Sequence, residues 1–302
     1  MNNAITILID GLTYASWLFI VSLGLTLVFG VLKILNIAHG SFYALGAYAA
    51  ASFVGWVSVL KVSPPLTVLL MLVTLFVAAL AVAALVAPLT ERGLLRFFYG
   101  RDEVLLVLVT YAMFLILEDV TKLIWGANPY YVSEPYAMFG NIEIGTQIYV
   151  GYDFMLVGLA VLIGLAVWWG LNRTRLGKLV LVVIHSEEVA SSMGINVSRI
   201  YMLTFTVGIF LAAVGGAFTA PMISVQPGVS VGVIIVSFAV VIIGGLGSIE
   251  GAAIGALIVG LARAFAVHVV PSAELFSIYI VMAVVLVFRP EGLFQRIQAR
   301  KI

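Results

Sequence analysis

The chain has no cysteine and little charge. Without cysteine it has no disulfide, thiolate metal site, iron–sulfur cluster or cysteine nucleophile. Only 10% of its 302 residues are charged, against roughly 25% in an average soluble protein. The formal net charge of +1 gives no electrostatic basis for binding DNA, RNA or another strongly charged partner.

Apolar residues dominate instead. They make up 63% of the chain, and the mean hydropathy is +1.21. A soluble domain of this length cannot hide so much apolar surface from water. The composition therefore disfavours a soluble enzyme, a nucleic-acid binder and a disordered chain, and indicates an integral membrane protein. The N-terminus carries no Lys or Arg before Asp10 and indicates a permanent span rather than a cleaved signal peptide.

Charged residues divide the sequence into apolar runs. A transmembrane helix needs about 20 mostly apolar residues. The candidate runs are 11–32, 34–60, 62–90, 104–125, 154–172, 200–220, 229–249, 251–273 and 275–288. We predict an all-α, polytopic membrane protein with eight or nine transmembrane elements, forming a single transmembrane domain over residues 1–302. Glycines after residue 229 indicate a broken late segment, either two helices or a re-entrant one.

The distribution of Lys and Arg predicts the orientation. Eleven of the fifteen basic residues fall in 91–103, in 173–199 and in the tail after residue 288. Short cytoplasmic loops are enriched in Lys and Arg, so we expect these segments inside and the N-terminus outside. The 126–153 loop has no basic residue and is predicted to be an external loop holding a small β-hairpin. The uncharged 221–228 loop is also expected outside.

Small residues recur every four positions in two late segments. They are Gly208, Ala212 and Gly216, and then Gly247, Gly251 and Gly255. This spacing lets helices approach closely. It is compatible with tight packing inside one bundle and with a subunit interface.

Two charged positions lie within apolar runs. Glu118 and Lys122 have the i,i+4 spacing of an ion pair on a helix, and a coupling-ion site is the alternative. A membrane arginine such as Arg263 usually faces a bundle interior or a wet cavity. Reaching the interface or pairing with Glu250 is the competing interpretation.

The segment 36–41 places an amide, an imidazole and a hydroxyl at the start of the second run. It reads Asn36-Ile37-Ala38-His39-Gly40-Ser41. A capped helix start explains these residue types, because the first backbone N–H groups of a helix need partners. A role in lining a translocation path or its gate is the alternative.

The segment 173–199 is long enough to form a separate cytoplasmic helix. Ser186 is suited to cap it, and Glu187 and Glu188 suit its first turn. Gly194 is suited to end it, and Asn196 or Ser198 to start the next helix. Such a helix is either a docking site for a soluble partner or a solvated surface helix.

The sequence lacks a recognisable catalytic constellation. His39, His185 and His268 lie on different elements, and no zinc-protease, serine-hydrolase or P-loop motif occurs. We therefore expect a non-catalytic chain that binds no metal and no cofactor. A secondary transporter or channel for a small polar solute is an alternative function. Such a carrier would be expected to present an intramembrane acid–base site.

Several motifs appear in order along most of the chain. They are Leu-Asn-Ile-Ala-His-Gly at 35–40, Gly46-Ala47-Tyr48, Arg-x-Arg-x-Gly-Lys at 173–178, Ala190, Gly194-Ile195, Thr204-Phe205, Ile-Gly-Gly-Leu-Gly-Ser-Ile at 243–249, Gly251-Ala252, Gly255 and Pro290-x-Gly292. In this set the sequence resembles the permeases of branched-chain amino acid ABC importers, of the shorter, high-affinity type.

The resemblance implies the partners. A periplasmic or extracellular binding protein delivers the substrate, and a second, related permease chain shares the translocation path. Two cytoplasmic ATPase subunits hold ATP and Mg²⁺ and drive transport. The implied location is the inner (plasma) membrane of a prokaryote, surrounded by lipid. Relatives of this kind import branched-chain amino acids, amides, or aromatic and aliphatic carboxylates, and no residue here chooses among them.

Two groups of functional residues are expected, and the resemblance itself implies that Gly177, Ala190, Gly194 and Ile195 belong to the family's coupling segment. The expected ATPase-coupling residues in the 173–199 segment are Arg173, Arg175, Gly177, Lys178, Glu187, Glu188, Val189, Ala190, Met193, Gly194 and Ile195. The translocation path is expected to include Asn36, His39, Gly40, Ser41, Gly244, Gly245 and Gly247. We expect Val189 and Met193 to form the apolar face of the docking helix.

Overall fold

A computed structural model describes residues 2–58, 64–145 and 147–294. In this part of the chain, helices form nearly all of the regular structure. They are α1 (Asn2–Leu32), α2 (His39–Val57), α3 (Pro64–Gly93), α4 (Glu103–Trp125), α5 (Glu134–Ala137), α6 (Gly151–Arg173), α7 (Arg175–His185), α8 (Glu187–Ser192), α9 (Val197–Thr219), α10 (Val229–Gly244), α11 (Ile249–Val269) and α12 (Glu274–Phe288). Two short strands, β1 (Asn141–Ile144) and β2 (Gln147–Val150), pair as an antiparallel hairpin.

The predicted all-α membrane fold is confirmed. Within the described residues, each of the nine predicted apolar runs coincides with one helix. Seven of these helices are long and apolar enough to cross a membrane, and α10 is a shorter apolar helix. The ninth, α2, has 19 residues and is buried along most of its length. The predicted hairpin in the 126–153 loop is also confirmed.

The centre of the bundle is formed by α1 and α9. In α1, 83% of the most apolar stretch is buried, and in α9 72% is buried. The helix α1 packs against α11, α9, α6 and α10, and α9 packs against α2 and α3. The outer helices are much more open, because only 17% of the corresponding stretch of α6 and 6% of that of α12 are buried. These outer faces are available to lipid or to another subunit.

Small residues bring the central helices together. A methyl group on Gly216 would overlap the Tyr43 carbonyl oxygen, and one on Gly46 would overlap Ala213. The contacts between α10 and α11 are equally close at Gly251 and Gly255. The alternative of packing within one bundle is therefore confirmed at these positions.

The late segment is broken at its glycines, as predicted. Helix α10 ends at Gly244, and Gly245 and Gly247 have φ values of +102° and +81°. L side chains rarely adopt this backbone region. Ser248 then caps α11 by accepting a hydrogen bond from the backbone N–H of Gly251 at 3.0 Å. The break consequently separates two helices.

The long helices give the bundle two distinct ends. The hairpin lies at the start of α6, and Arg173 ends this helix of 23 residues, which is about 34 Å long. At the hairpin end, Tyr130 and Val225 exchange backbone hydrogen bonds of 2.8 and 2.9 Å. The 126–153 and 221–228 loops thus share one end, which we call the hairpin end. Most of the predicted cytoplasmic tail, residues 295–302, lies outside the described part of the chain.

Candidate functional site

The segment after Arg173 turns back on α6, and Gly177 lies at the contact between the two helices. The Thr174 hydroxyl accepts a hydrogen bond from the Gly177 backbone N–H at 3.0 Å and caps α7. A side chain on Gly177 would overlap the carbonyl oxygens of Gly170 and Leu171. Because Gly177 has no side chain, α7 can lie directly against the end of α6.

The helix α7 is fixed to the bundle along one face. Val180 and Val183 are buried, and α7 packs against α6, α8, α9 and α1. Leu176, in the first turn of the helix, keeps 56% of its surface accessible. The apolar run at 179–184 is therefore an anchor for the segment.

The predicted short helix after Ser186 is present as α8. The Ser186 hydroxyl accepts a hydrogen bond from the Val189 backbone N–H, and Glu187 and Glu188 form the first turn. Gly194 has a φ of +79°, the conformation that ends many helices. Asn196 then caps α9 by accepting from the Arg199 backbone N–H at 3.1 Å. The predicted caps and the predicted glycine stop are confirmed.

The helix α8 presents an apolar surface away from the bundle. Val189 is 53% exposed and Met193 is 71% exposed, whereas Ala190 is fully buried. The Ala190 carbonyl oxygen accepts a hydrogen bond from the Ile195 backbone N–H at 3.0 Å, which closes the turn. Because the turn is attached to the bundle, another protein can bind these exposed side chains without unfolding the segment.

A basic groove adjoins this segment. Arg92 and Arg96, at the end of α3 and just after it, line a cavity of about 620 Å³ together with Arg199. Two of the predicted basic segments therefore meet at the end of the bundle opposite the hairpin. Sequence reasoning missed the groove. It predicted only that the two segments share a side of the membrane.

Inside this groove, Glu91 is almost fully buried. The Tyr99 hydroxyl donates a hydrogen bond of 3.0 Å to the Glu91 carboxylate. Burial, reinforced by Glu91, holds the pKa of Tyr99 well above its ordinary value. Tyr99 therefore remains a neutral donor at physiological pH, and the arginines dominate the charge that the groove presents.

The predicted path residues at the start of α2 are buried within the chain. Asn36, His39 and Ser41 expose at most 1% of their surface. His39 Nε2 lies 3.0 Å from the Val21 carbonyl oxygen. Among the described residues, Asn36 Oδ1 and Nδ2, His39 Nδ1 and Ser41 Oγ have no hydrogen-bond partner. Their place in a translocation path stays a prediction.

The two predicted path groups lie at different ends of α10. A side chain on Gly40 would overlap the carbonyl oxygen of Ser230, near the start of α10. Gly244, Gly245 and Gly247 lie at and beyond the other end of this helix, which has 16 residues and is about 24 Å long. The structure thus brings each group to α10 but does not bring the groups together.

The glycine turn after α10 is closed by the C-terminal part of the chain. The backbone N–H groups of Leu293 and Phe294 donate to the carbonyl oxygens of Ile243 and Gly244 at 2.9 and 3.0 Å. These carbonyl groups end α10 and would otherwise lack partners. The conformation of the turn therefore depends on hydrogen bonds from residues about 50 positions later in the chain.

The expected ion pair between Glu118 and Lys122 is wrong. Lys122 pairs with Asp119 at 3.3 Å. The Glu118 carboxylate instead accepts hydrogen bonds from the Gly228 backbone N–H at 2.6 Å and the Ser230 hydroxyl at 2.5 Å. A carboxylate at a helix N-terminus satisfies free N–H groups and complements the helix dipole. The sequence gives only a weak signal for this contact. Gly228 precedes α10 and cannot cap it with a side chain, so a side-chain cap has to come from another part of the chain.

Pairing of Arg263 with Glu250 is also wrong. Arg263 forms an ion pair with Glu274, at the start of α12. Glu250 and Arg263 are 13 residues apart on α11, or about 20 Å along the helix axis. The guanidinium carbon of Arg263 also lies 4.1 Å from the centre of the Tyr14 ring.

The comparisons with known proteins agree with this architecture. The sequence profile of the family "Branched-chain amino acid transport system / permease component" matches residues 7–288. The chain is 27% identical to the high-affinity branched-chain amino acid permease protein BraD of Pseudomonas aeruginosa, over 98% of this chain and 97% of that protein. It is 25% identical to the corresponding LivH protein of Escherichia coli, over 97% and 96%.

A sugar permease is also similar. The ribose import permease protein RbsC of Escherichia coli is 29% identical over 80% of this chain and 71% of that protein. In the described part of the chain, no three His, Asp or Glu side chains form a group that could hold a metal ion. The family profile covers nearly the full length, and the chain belongs to the family of branched-chain amino acid ABC transport permeases.

Proposed function

We propose that this chain is a non-catalytic permease subunit of an ATP-driven importer. With a second, related permease chain it forms the path for branched-chain amino acids, or for a similar small amino acid or carboxylate. The support for this substrate class is the near full-length match to BraD and LivH. The ribose permease matches over a smaller share of both proteins.

The observation that carries the proposal is the exposed surface of α8. ATP is hydrolysed on separate ATPase subunits in this proposal, so its work must enter the permease through a protein contact. Val189 and Met193 form an exposed apolar pair on a helix whose Ala190 is fully buried. Apolar anchors surrounded by charge are typical of interface hot spots. Glu187 and Glu188 supply that charge next to the apolar pair.

The orientation follows from the two ends of the bundle. The end with α8 and the groove of Arg92, Arg96 and Arg199 faces the cytoplasm in this proposal, since basic residues favour that side. The hairpin end then faces outward and receives the binding protein, and the N-terminus lies outside. ATP and Mg²⁺ bind to the ATPase subunits. Lipid of the prokaryotic inner membrane or the second permease covers the open faces of α6 and α12.

Reconstitution tests the proposal. The chain, its second permease and its ATPases are placed in liposomes with ATP inside, and binding protein with labelled leucine is added outside. Uptake that needs ATP and every subunit is expected. Liposomes holding this chain alone should show none under a proton or sodium gradient. Gradient-driven uptake by the chain alone would support a secondary transporter instead.

A further inference from the structure

A second cavity lies at the hairpin end, within this one chain. It has a volume of about 330 Å³, within the range of small-molecule sites. Residues from α1, α2, α5, α6, α9 and α11 line it. Asp10, at its edge, has a side chain that is 48% exposed, so the cavity is open on that side.

A carboxylate with only long hydrogen-bond contacts lines one side of the cavity. Asp153 is partly buried, and the Tyr136 hydroxyl lies 3.4 and 3.5 Å from its two oxygens. These distances exceed the usual 2.5–3.0 Å of an O–H···O bond. Among the described residues, Asp153 forms no salt bridge. The other carboxylate, Asp10, is already paired with His268 at 2.7 Å. Asp153 is thus the acceptor best placed to take a cation.

The phenol beside Asp153 brings no charge to the cavity. Burial, together with Asp153, raises the pKa of Tyr136 to about 12. Tyr136 therefore stays neutral at physiological pH and acts only as a weak donor. An ammonium group would give Asp153 a charged partner, and charge-assisted hydrogen bonds are roughly twice as strong as neutral ones.

A guanidinium lines another part of the same cavity. Arg263 is held over the Tyr14 ring at 4.1 Å and by its ion pair with Glu274. The hydrogen bond to Glu274 comes from one nitrogen, Nη2. A guanidinium has five N–H donors in a plane that fits carboxylates. Arg263 therefore retains donors for a second carboxylate.

The rest of the wall combines aromatic and apolar side chains with the hydroxyl groups of Thr13 and Thr219. Trp17 and Met222 line the cavity, and Tyr14 and Trp17 pack edge to face at 4.9 Å. The cavity thus combines an anion, a cation and an apolar surface. These are the three features of an α-amino acid with an aliphatic side chain.

We propose that this cavity binds the incoming amino acid as a zwitterion, with its ammonium group at Asp153 and its carboxylate at Arg263. This site would be formed by a single permease chain on the outward side, before the path shared with the second permease. The inference rests on the proposed function. A solute that lacks the ammonium would leave Asp153 without a charged partner, and one that lacks the carboxylate would lose the contact with the free donors of Arg263, so both would bind weakly.

Cysteine protection tests the site directly. The chain contains no cysteine, so Ile223→Cys places a single thiol at the cavity lip, where Ile223 is 36% exposed. The full reconstituted complex is treated from outside with a membrane-impermeant methanethiosulfonate, and modification of this chain is followed by mass spectrometry. Leucine should slow modification several-fold. 4-Methylpentanoate, which lacks the ammonium, and 3-methylbutylamine, which lacks the carboxylate, should give no protection.

One further variant tests the role of Asp153, and a second is its control. In the Ile223→Cys chain, adding Asp153→Asn should abolish protection and raise the leucine concentration for half-maximal uptake by about tenfold, the loss expected for one charged contact. Adding Asp119→Asn, which neutralises an acid whose side chain is 75% exposed on α4, should change neither. A separate thiol at Glu143→Cys should react at the same rate with and without leucine.

The outcomes separate the site from the proposed function. ATP-driven leucine uptake without leucine protection at Ile223→Cys would overturn the site and leave the proposed function standing. The assignment of the two charges would be overturned if leucine protected the Asp153→Asn chain as well as the chain with Asp153. Protection by 4-methylpentanoate or by 3-methylbutylamine would also overturn it. Absence of both uptake and protection would overturn the proposed function with the site.

Discussion

The Glu118 carboxylate of α4 accepts a hydrogen bond of 2.5 Å from the hydroxyl of Ser230, 112 residues later in the chain. Its other oxygen accepts from the Gly228 backbone N–H, so one acidic side chain caps α10 from a different helix. The backbone bridge between Tyr130 and Val225 joins the loops that follow α4 and precede α10. These contacts connect α4 to the start of α10 as one unit.

Replacing Glu118 with alanine should destabilise the protein by about 1–3 kcal/mol, the usual cost of leaving a polar partner unsatisfied. The backbone N–H of Gly228 and the hydroxyl of Ser230 would both lose their acceptor. Thermal unfolding of the purified protein in detergent measures the effect. Asp119→Ala is the control, because the Asp119 side chain is 75% exposed and its ion pair is with the exposed Lys122. Equal unfolding temperatures for the two variants would contradict the capping role.

Gly177→Ala should displace α7 from α6. The added methyl group would overlap the carbonyl oxygen of Gly170, and overpacking of this kind costs about 1–3 kcal/mol. The expected results are lower thermal stability and weaker ATP-driven uptake. Gly170→Ala is the matched control, since a methyl group there meets no atom within 4 Å. If Gly177→Ala matched the wild type in both assays, the close contact would not matter for coupling.

Val189→Asp combined with Met193→Asp should separate the permease from its ATPases. Both side chains are more than half exposed, so folding should survive while the apolar contact is lost. Co-purification of the ATPase subunits and ATP-driven uptake should both fall at least about tenfold, as for loss of an interface hot spot. Ile148→Asp is the control for ATPase co-purification, because Ile148 is 64% exposed on the hairpin at the other end. Normal ATPase binding by the double variant would place the coupling contact elsewhere.

Gly194→Val should disturb the turn between α8 and α9. Gly194 has a φ of +79°, which costs a β-branched residue roughly 1–2 kcal/mol. ATP-driven uptake should fall, while the binding protein should hold its substrate with unchanged affinity. Gly194→Asn should keep most of the uptake, because asparagine tolerates this backbone region. Uptake that is equal in the valine and asparagine variants would show that the backbone conformation is not limiting.

Local features of this fold were predictable from the sequence because they depend on neighbouring residues. Apolar runs predict the long helices, since the bilayer demands a minimum length. The caps at Ser186 and Asn196 and the stop at Gly194 act on backbone groups within a few residues. The hairpin depends on alternation over the 141–150 stretch. Such short-range rules need no knowledge of the tertiary packing.

The contacts that failed to be predicted join distant parts of the chain. Glu118 has a basic residue four positions away and still caps a helix more than a hundred residues later. Arg263 likewise pairs with Glu274 on another helix and not with Glu250 on its own. Which helix faces lie together depends on close backbone approach at small residues such as Gly216. Spacing along a single helix does not contain that information.

The contact of Leu293 and Phe294 with the end of α10 has a consequence for biosynthesis. These residues supply the hydrogen-bond donors for the carbonyl groups of Ile243 and Gly244. The ribosome makes α10 and α11 well before it makes their last partners. During insertion, the carbonyl groups of the glycine turn therefore lack these donors until residues 293 and 294 have been synthesised, and a nascent chain that stalls before residue 293 cannot complete the turn.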